Sequence, residues 1–146
     1  MLNSMLIIGC GNRDRADDAA GILVAERLRA RGIAAEVCSG ESSELLEAWI
    51  GADEVILIDA VQTGAPAGTV HAWEAKHLPS FSKSSGSTHG FGVAEAIELA
   101  RALDRLPAKL TIYGIEAVSF EPGRGVSPEV DRGIDEVVRR IVLEVN

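Results

Sequence analysis

The chain has 146 residues, enough for one domain over residues 1–146 whose core needs neither disulfides nor a structural metal. Hydrophobic residues make up 47% and charged residues 25%, and the net charge of -8 comes with no basic stripe, which excludes nucleic acid and anionic membrane as partners. The opening MLNSMLIIGCGN lacks a basic leader, and no apolar run approaches the ~20 residues of a membrane span, so a cytoplasmic protein is expected.

The predicted elements alternate. Residues 5–8 form a short buried strand, and residues 19–31 a helix with Ala20, Leu23, Val24 and Leu28 on one face. Asp17 or Asp18 is its expected N-cap, and Gly32 ends it. A weak strand at 35–38 precedes a helix at 44–50, which follows a Ser42-Ser43 cap signal. EVILIDA, residues 54–60, is the clearest strand: β-branched, apolar throughout and therefore central. A Gly/Pro turn leads to a strand at 68–73 nearer an edge. The serine-rich tract at 80–88 reads as loop, residues 92–103 as an amphipathic helix and 110–118 as a further strand. Ser127-Pro128 opens the last helix, with Val130, Ile134, Val137, Val138, Ile141 and Val145 as its sheet-facing stripe. This order implies an α/β three-layer α/β/α sandwich on a mostly parallel sheet. The turn after the central strand is too short for a helical crossover, so one strand is expected to be antiparallel.

The loop IIGCGNRDRADDAAG begins like a dinucleotide fingerprint and then departs from it. The third glycine is replaced by Asp14, and Asp17 and Asp18 occupy the place where a helix N-terminus would receive phosphate. One acid suffices to cap a helix; a cation or a reacting proton explains a second.

Functional groups in an open α/β sheet gather at the carboxyl ends of the strands. Asp18 follows the first strand, Asp59 ends EVILIDA, and His89 in STHGFG stands just ahead of a helix, so three remote residues are expected on one rim. Two carboxylates and one imidazole suit a divalent transition ion with coordination positions left open. Without a metal, the paired carboxylates would share a proton and run acid/base chemistry. Residue types alone leave both open. His71 and His77 have no ligand spacing around them and read as structural or surface residues, and Cys10 and Cys38 as small buried thiols without CxxC spacing. The loop at 119–125 reads as a solvent turn; that loop and an exposed strand edge are the places where an extended peptide would be received.

Taken together, IIGCGNRDRADDAAG, VILIDAV, STHGFGVAEAIELA, LTIYGIEAVSFEPG and GVSPEV resemble the NiFe-hydrogenase maturation protease family over almost the whole chain. The resemblance implies an aspartic-type endopeptidase that cleaves a C-terminal extension from the nickel-loaded precursor of a hydrogenase large subunit. It implies Asp18, Asp59 and His89 as nickel contacts and Asp18 and Asp59 as catalytic acids, with Ni2+ supplied by the precursor rather than resident. The implied fold is a five-stranded twisted mixed sheet, phosphorylase/hydrolase-like, in a monomer or weak homodimer. A nickel-sensing chaperone without hydrolysis and a broader-substrate aspartic or metallo-peptidase are the alternatives. Two details depart from the family: Ala19 stands where glycine is frequent, and Ser39-Gly40-Glu41 replaces an acidic Asp-Gly start, with Glu41 as a substitute polar neighbour of the site.

Overall fold

The continuously apolar run ending in Asp59 becomes the middle strand of five. A computed structural model describes residues 4–75, 88–123 and 125–145, with the backbone alone for 88–92. In chain order the elements are β1 (Met5–Cys10), α1 (Ala20–Ala30), β2 (Glu36–Cys38), α2 (Ser42–Trp49), β3 (Glu54–Val61), β4 (Val70–Glu74), α3 (Thr88–Ala102), β5 (Lys109–Glu116) and α4 (Pro128–Val145). The sheet order is β2-β1-β3-β5-β4. The first four strands in that order are mutually parallel, and β4 runs antiparallel to β5. The single antiparallel strand is therefore present, but at the far edge, with β5 between it and β3. Burial explains the placement. The sequence of β5 is apolar on both faces and takes an inner position, whereas the half-buried VHAWE of β4 tolerates an edge.

Two apolar clusters flank the sheet. Ile7, Ile56, Ile58, Tyr113 and Ile115 pack against α1 and α4, while Ile8, Val55, Leu57, Leu110 and Ile112 pack against α2 and α3. Alternation along each strand sends neighbouring side chains to opposite clusters, which makes the three layers. Of the stripe expected on α4, Val130, Ile134, Val137, Val138 and Ile141 are buried, and Val145 is partly buried against the same cluster. α3 starts at Thr88 rather than at residue 92, because the glycines of HGFG, which punctuate most helices, lie within its first turns. α2 starts at Ser42, so the two serines are helical and Glu41 is the N-cap residue. Glu41 is exposed and accepts the Ser43 hydroxyl. The serine-rich tract at 80–87 and His77 lie outside the described residues. Among the described residues no helix is long and apolar enough to cross a membrane.

Gly21 sets how closely α1 lies on the sheet. A Cβ there would collide with the carbonyls of Cys10 and Ile58, at the crossing of β1 and β3. It does the packing work that a third glycine does in a dinucleotide fingerprint, further along the chain than the usual spacing. Replacing Gly21 by Ala is expected to cost about 3 kcal/mol or more, because the obstacle is backbone on two strands. Gly32→Ala, at φ +82° with open space around it, is expected to cost about 1 kcal/mol. Urea denaturation of the two variants checks this; equal midpoints would contradict the close-approach account.

Candidate active site

The sheet reverses direction of growth at β1, whose neighbours are β2 on one side and β3 on the other. The crevice above that switch point is where an open α/β sheet presents its ligand groups. Asp59 stands at the end of β3 on its α2–α3 face, in register with Gly114 of β5, and is 2% exposed. One oxygen of its carboxylate accepts the Ala60 N–H at 2.9 Å. Asp18 lies in a short 3-10 turn, Ala16–Ala19, between β1 and α1, and is fully buried. That turn packs on β3.

Both acids are held in states that a solvated carboxylate would not choose. Burial raises Asp18 from 3.8 to about 6, against the opposing influence of the Asn12 backbone and of Arg15. Burial also raises Asp59 well above the ordinary carboxylate range, and the charge on Asp18 adds to the effect. Of the groups expected from sequence to converge, Asp18 and Asp59 lie close enough for the charge on Asp18 to act on Asp59. The third, His89, lies by its backbone in the first turn of α3, and its side chain is outside the described residues. Among the described residues no three His, Cys, Asp or Glu side chains are grouped to hold a metal.

The loop carrying Asp18 is folded back on itself and stitched to a second loop. Gly11 (φ +145°) lies so close to the Asp18 backbone that a Cβ would overlap its carbonyl, and the Asn12 N–H donates to that carbonyl at 3.2 Å. Ala16 sits at φ +48°, a left-handed conformation uncommon for a residue with a side chain. Its N–H donates to Gly123 O (2.8 Å), Gly123 N–H donates to Asp14 O (2.9 Å), and Arg15 Nε donates to Phe120 O (3.1 Å). Phe120 and Gly123 thus make their loop a scaffold for the Asp18 turn, where the sequence suggested a solvent turn or a place to receive an extended peptide.

Asp17 anchors this arrangement. The expectation that Asp17 or Asp18 caps α1 is not met: Ala19 occupies the N-cap position, without a side-chain bond. Asp17 instead accepts the N–H groups of Val118 (2.8 Å), Ser119 (3.1 Å) and Ser127 (2.8 Å), together with the Ser127 hydroxyl. Ser127 is the residue just before α4, so Asp17 ties the Asp18 loop to the start of the last helix. A 3-10 turn intervenes before α1, which is why the simple cap geometry read from sequence does not form.

Cys10 and Cys38 are register partners at this rim, and both are free thiols. Burial, then the charge on Asp59, pushes the Cys10 thiol well up, and burial lifts Cys38, which is half-buried, to about 11. Neither is a ready nucleophile. A cavity of about 600 Å³, lined by Glu74, Arg101, Pro107 and Lys109 among others, lies around the start of β5, at the opposite end of the sheet from Asp59. Glu116 is the acid that sequence reading missed. It ends the apolar run of β5 as Asp59 ends that of β3, so the same signal was present.

Comparison with known proteins agrees with the fold. The profile of a family described as Hydrogenase maturation protease (HycI) matches residues 24–144. The Hydrogenase 2 maturation protease of Escherichia coli K12 is 29% identical over 145 residues, covering 94% of this chain and 88% of that one. The hydrogenase maturating endopeptidase HybD from E. coli superposes with a TM-score of 0.81 at 25% identity, over 97% of this chain and 91% of the other. The maturation protease HybD from Thermococcus kodakarensis shares the fold, with a TM-score of 0.78 at 24% identity over 98% and 99% of the two chains.

Holding Asp18 buried has a consequence for stability. Below pH 3.8 the group is protonated in both the folded and unfolded chain, so it costs nothing. Between 3.8 and about 6 the unfolded chain releases a proton that the fold retains, so stability falls as pH rises through that window and stays lower above it. The full penalty is about 2–3 kcal/mol. Asp18→Asn is therefore expected to raise Tm at pH 7 by roughly 5–10 °C and to give little gain at pH 4, read by thermal denaturation. An equal loss at both pH values would contradict it.

Proposed function

The chain belongs to the hydrogenase maturation protease family, and from that membership we propose that it is an endopeptidase that removes a C-terminal extension from the nickel-loaded precursor of a NiFe-hydrogenase large subunit. The observation that carries the reading is the coupling of two buried carboxylates, Asp18 and Asp59, delivered from different strands to the switch point of the sheet.

Nickel enters as part of the substrate. The donors suit it: two buried carboxyl groups whose desolvation a divalent cation would relieve, with the His89 imidazole as the third group. Asp18, Asp59 and His89 would hold the ion while it keeps ligands from the precursor, and it would then mark a loaded precursor and supply a Lewis acid.

The chain's own chemistry rests on the unequal pair. Above about pH 6 Asp18 is a carboxylate, and its charge beside Asp59 favours the protonated form of Asp59. Asp18 accepts a proton from the water attacking the peptide carbonyl, and Asp59 donates one as the amide leaves, the division of labour of an aspartic-type peptidase. Asp17 and the loop at 119–125 keep Asp18 in place during this exchange. The same reading puts the reaction in the cytoplasm, a compartment that suits the free thiols of Cys10 and Cys38.

Incubation with nickel-loaded and nickel-free precursor, followed by intact mass spectrometry, tests the assignment. Only the loaded form is expected to lose its extension, and Asp18→Asn or Asp59→Asn should each slow the cut by about 10²–10⁴-fold. Equal cutting of both forms would overturn the nickel checkpoint. A loaded precursor that is bound but left intact would favour a chaperone without hydrolysis.

A further inference from the structure

A second acid and an imidazole lie on the same rim, beyond Asp59. Gly114 of β5 is in register with Asp59 of β3 on one side and with His71 of β4 on the other. Register partners share a face, so Asp59 and His71 look out from the same side of the sheet, two strand spacings apart, or roughly 10 Å. Gly114 between them carries no side chain; a Cβ there would press against Trp73 and Val61. His71 is stacked on Trp73, with ring centroids 4.9 Å apart and planes 8° apart.

Glu116 fixes the orientation of this histidine. Its carboxylate accepts the Thr63 N–H (2.7 Å), the Thr63 hydroxyl (2.6 Å) and the Gly64 N–H (3.2 Å), and His71 Nε2 lies 3.0 Å from Oε1. A carboxyl surrounded by donors is an acceptor, so the Nε2 position carries the hydrogen. In the neutral ring Nδ1 then presents a lone pair. Both polar contacts of the ring with described residues use Nε2. The Glu116 side chain is 3% exposed, while that of His71 remains 20% exposed. The bonds to Thr63 and Gly64 suffice to pin the turn after β3; the imidazole adds an oriented acceptor at the surface.

Building on the endopeptidase reading above, we propose that His71, held by Glu116, is a substrate-contacting residue whose Nδ1 accepts a hydrogen bond from a backbone N–H of the precursor peptide. An extended chain advances about 3.3 Å per residue, so the contact falls roughly three residues from the bond that is cut. Trp73 supports the ring from beneath, and the contact orients the peptide across the strand ends toward Asp18 and Asp59.

Steady-state cleavage of the nickel-loaded precursor by wild type, H71A, H71F and H71Q tests this. KM is expected to rise tenfold or more in H71A and H71F, with kcat within threefold of wild type and Tm within about 2 °C. H71Q should recover most of the loss, because its amide donates to Glu116 through nitrogen and accepts through oxygen. E116Q should raise KM with His71 still present. An unchanged kcat/KM in H71A, a loss confined to kcat, or a loss that tracks falling Tm would overturn the proposal. Binding of the same precursor to D59N and D59N/H71A supplies a readout without cleavage: a tenfold weaker complex for the double variant supports the contact, and equal affinity refutes it. If wild type does not cut the precursor, the endopeptidase reading falls, and the binding comparison still decides the contact.

Discussion

The burial of two acids, Asp18 and Asp59, within reach of each other's charge is the constraint around which this fold is arranged. Asp18 and Asp59 are both removed from solvent, and the charge on Asp18 makes ionising Asp59 harder still. Charge burial of this kind persists only where the surrounding structure leaves the side chains no alternative. Here the enforcement comes from backbone. Gly21 lets α1 touch the strands, Gly11 lets the chain turn back onto Asp18, and the left-handed Ala16 completes the turn. Asp17 supplies the counterweight: it too is a buried acid, but one surrounded by N–H and hydroxyl donors. Adjacent residues thus hold opposite roles, one acid satisfied so that the next is kept in place.

The division follows from where each side chain finds its donors. Asp17 meets the 118–127 loop and the start of α4, and becomes part of the scaffold. Asp18 meets Asp59, and becomes a site for a proton or a cation. An unequal pair of acids is useful chemically because their environments push them apart, which separates the proton acceptor from the proton donor near neutral pH. The same inequality makes a cation welcome. Both properties come from one arrangement, which is why the metal and the acid/base readings converge on the same residues.

Much of the architecture was legible in the residues. Apolar continuity marked β3 as central, the stripe of α4 marked its buried face, and an acid closing an apolar strand marked Asp59. The rest depended on contacts that sequence spacing does not encode. Asp17 looked like a cap for α1 because cap rules are local, whereas its partners lie about a hundred residues away on another loop. Gly21 looked like an ordinary helical glycine because the carbonyls it makes room for belong to β1 and β3. His71 looked like a surface residue because its acid, Glu116, is brought beside it only when β4 pairs with β5. β4 itself could be read as antiparallel from its short connection, but its place outside β5 followed from which strand had two apolar faces. His89 keeps its position at the start of α3, although the glycines around it suggested a later beginning for the helix.

The dependence of Asp59 on Asp18 is the centre of the account, and carbon-13 NMR titration of the aspartate carboxyls observes it directly. The account predicts that Asp59 titrates well above the ordinary carboxylate range in the native chain, and that its midpoint falls when Asp18 is replaced by asparagine. An Asp59 resonance that titrates near 4, unmoved by that replacement, would mean that the two acids do not form one site.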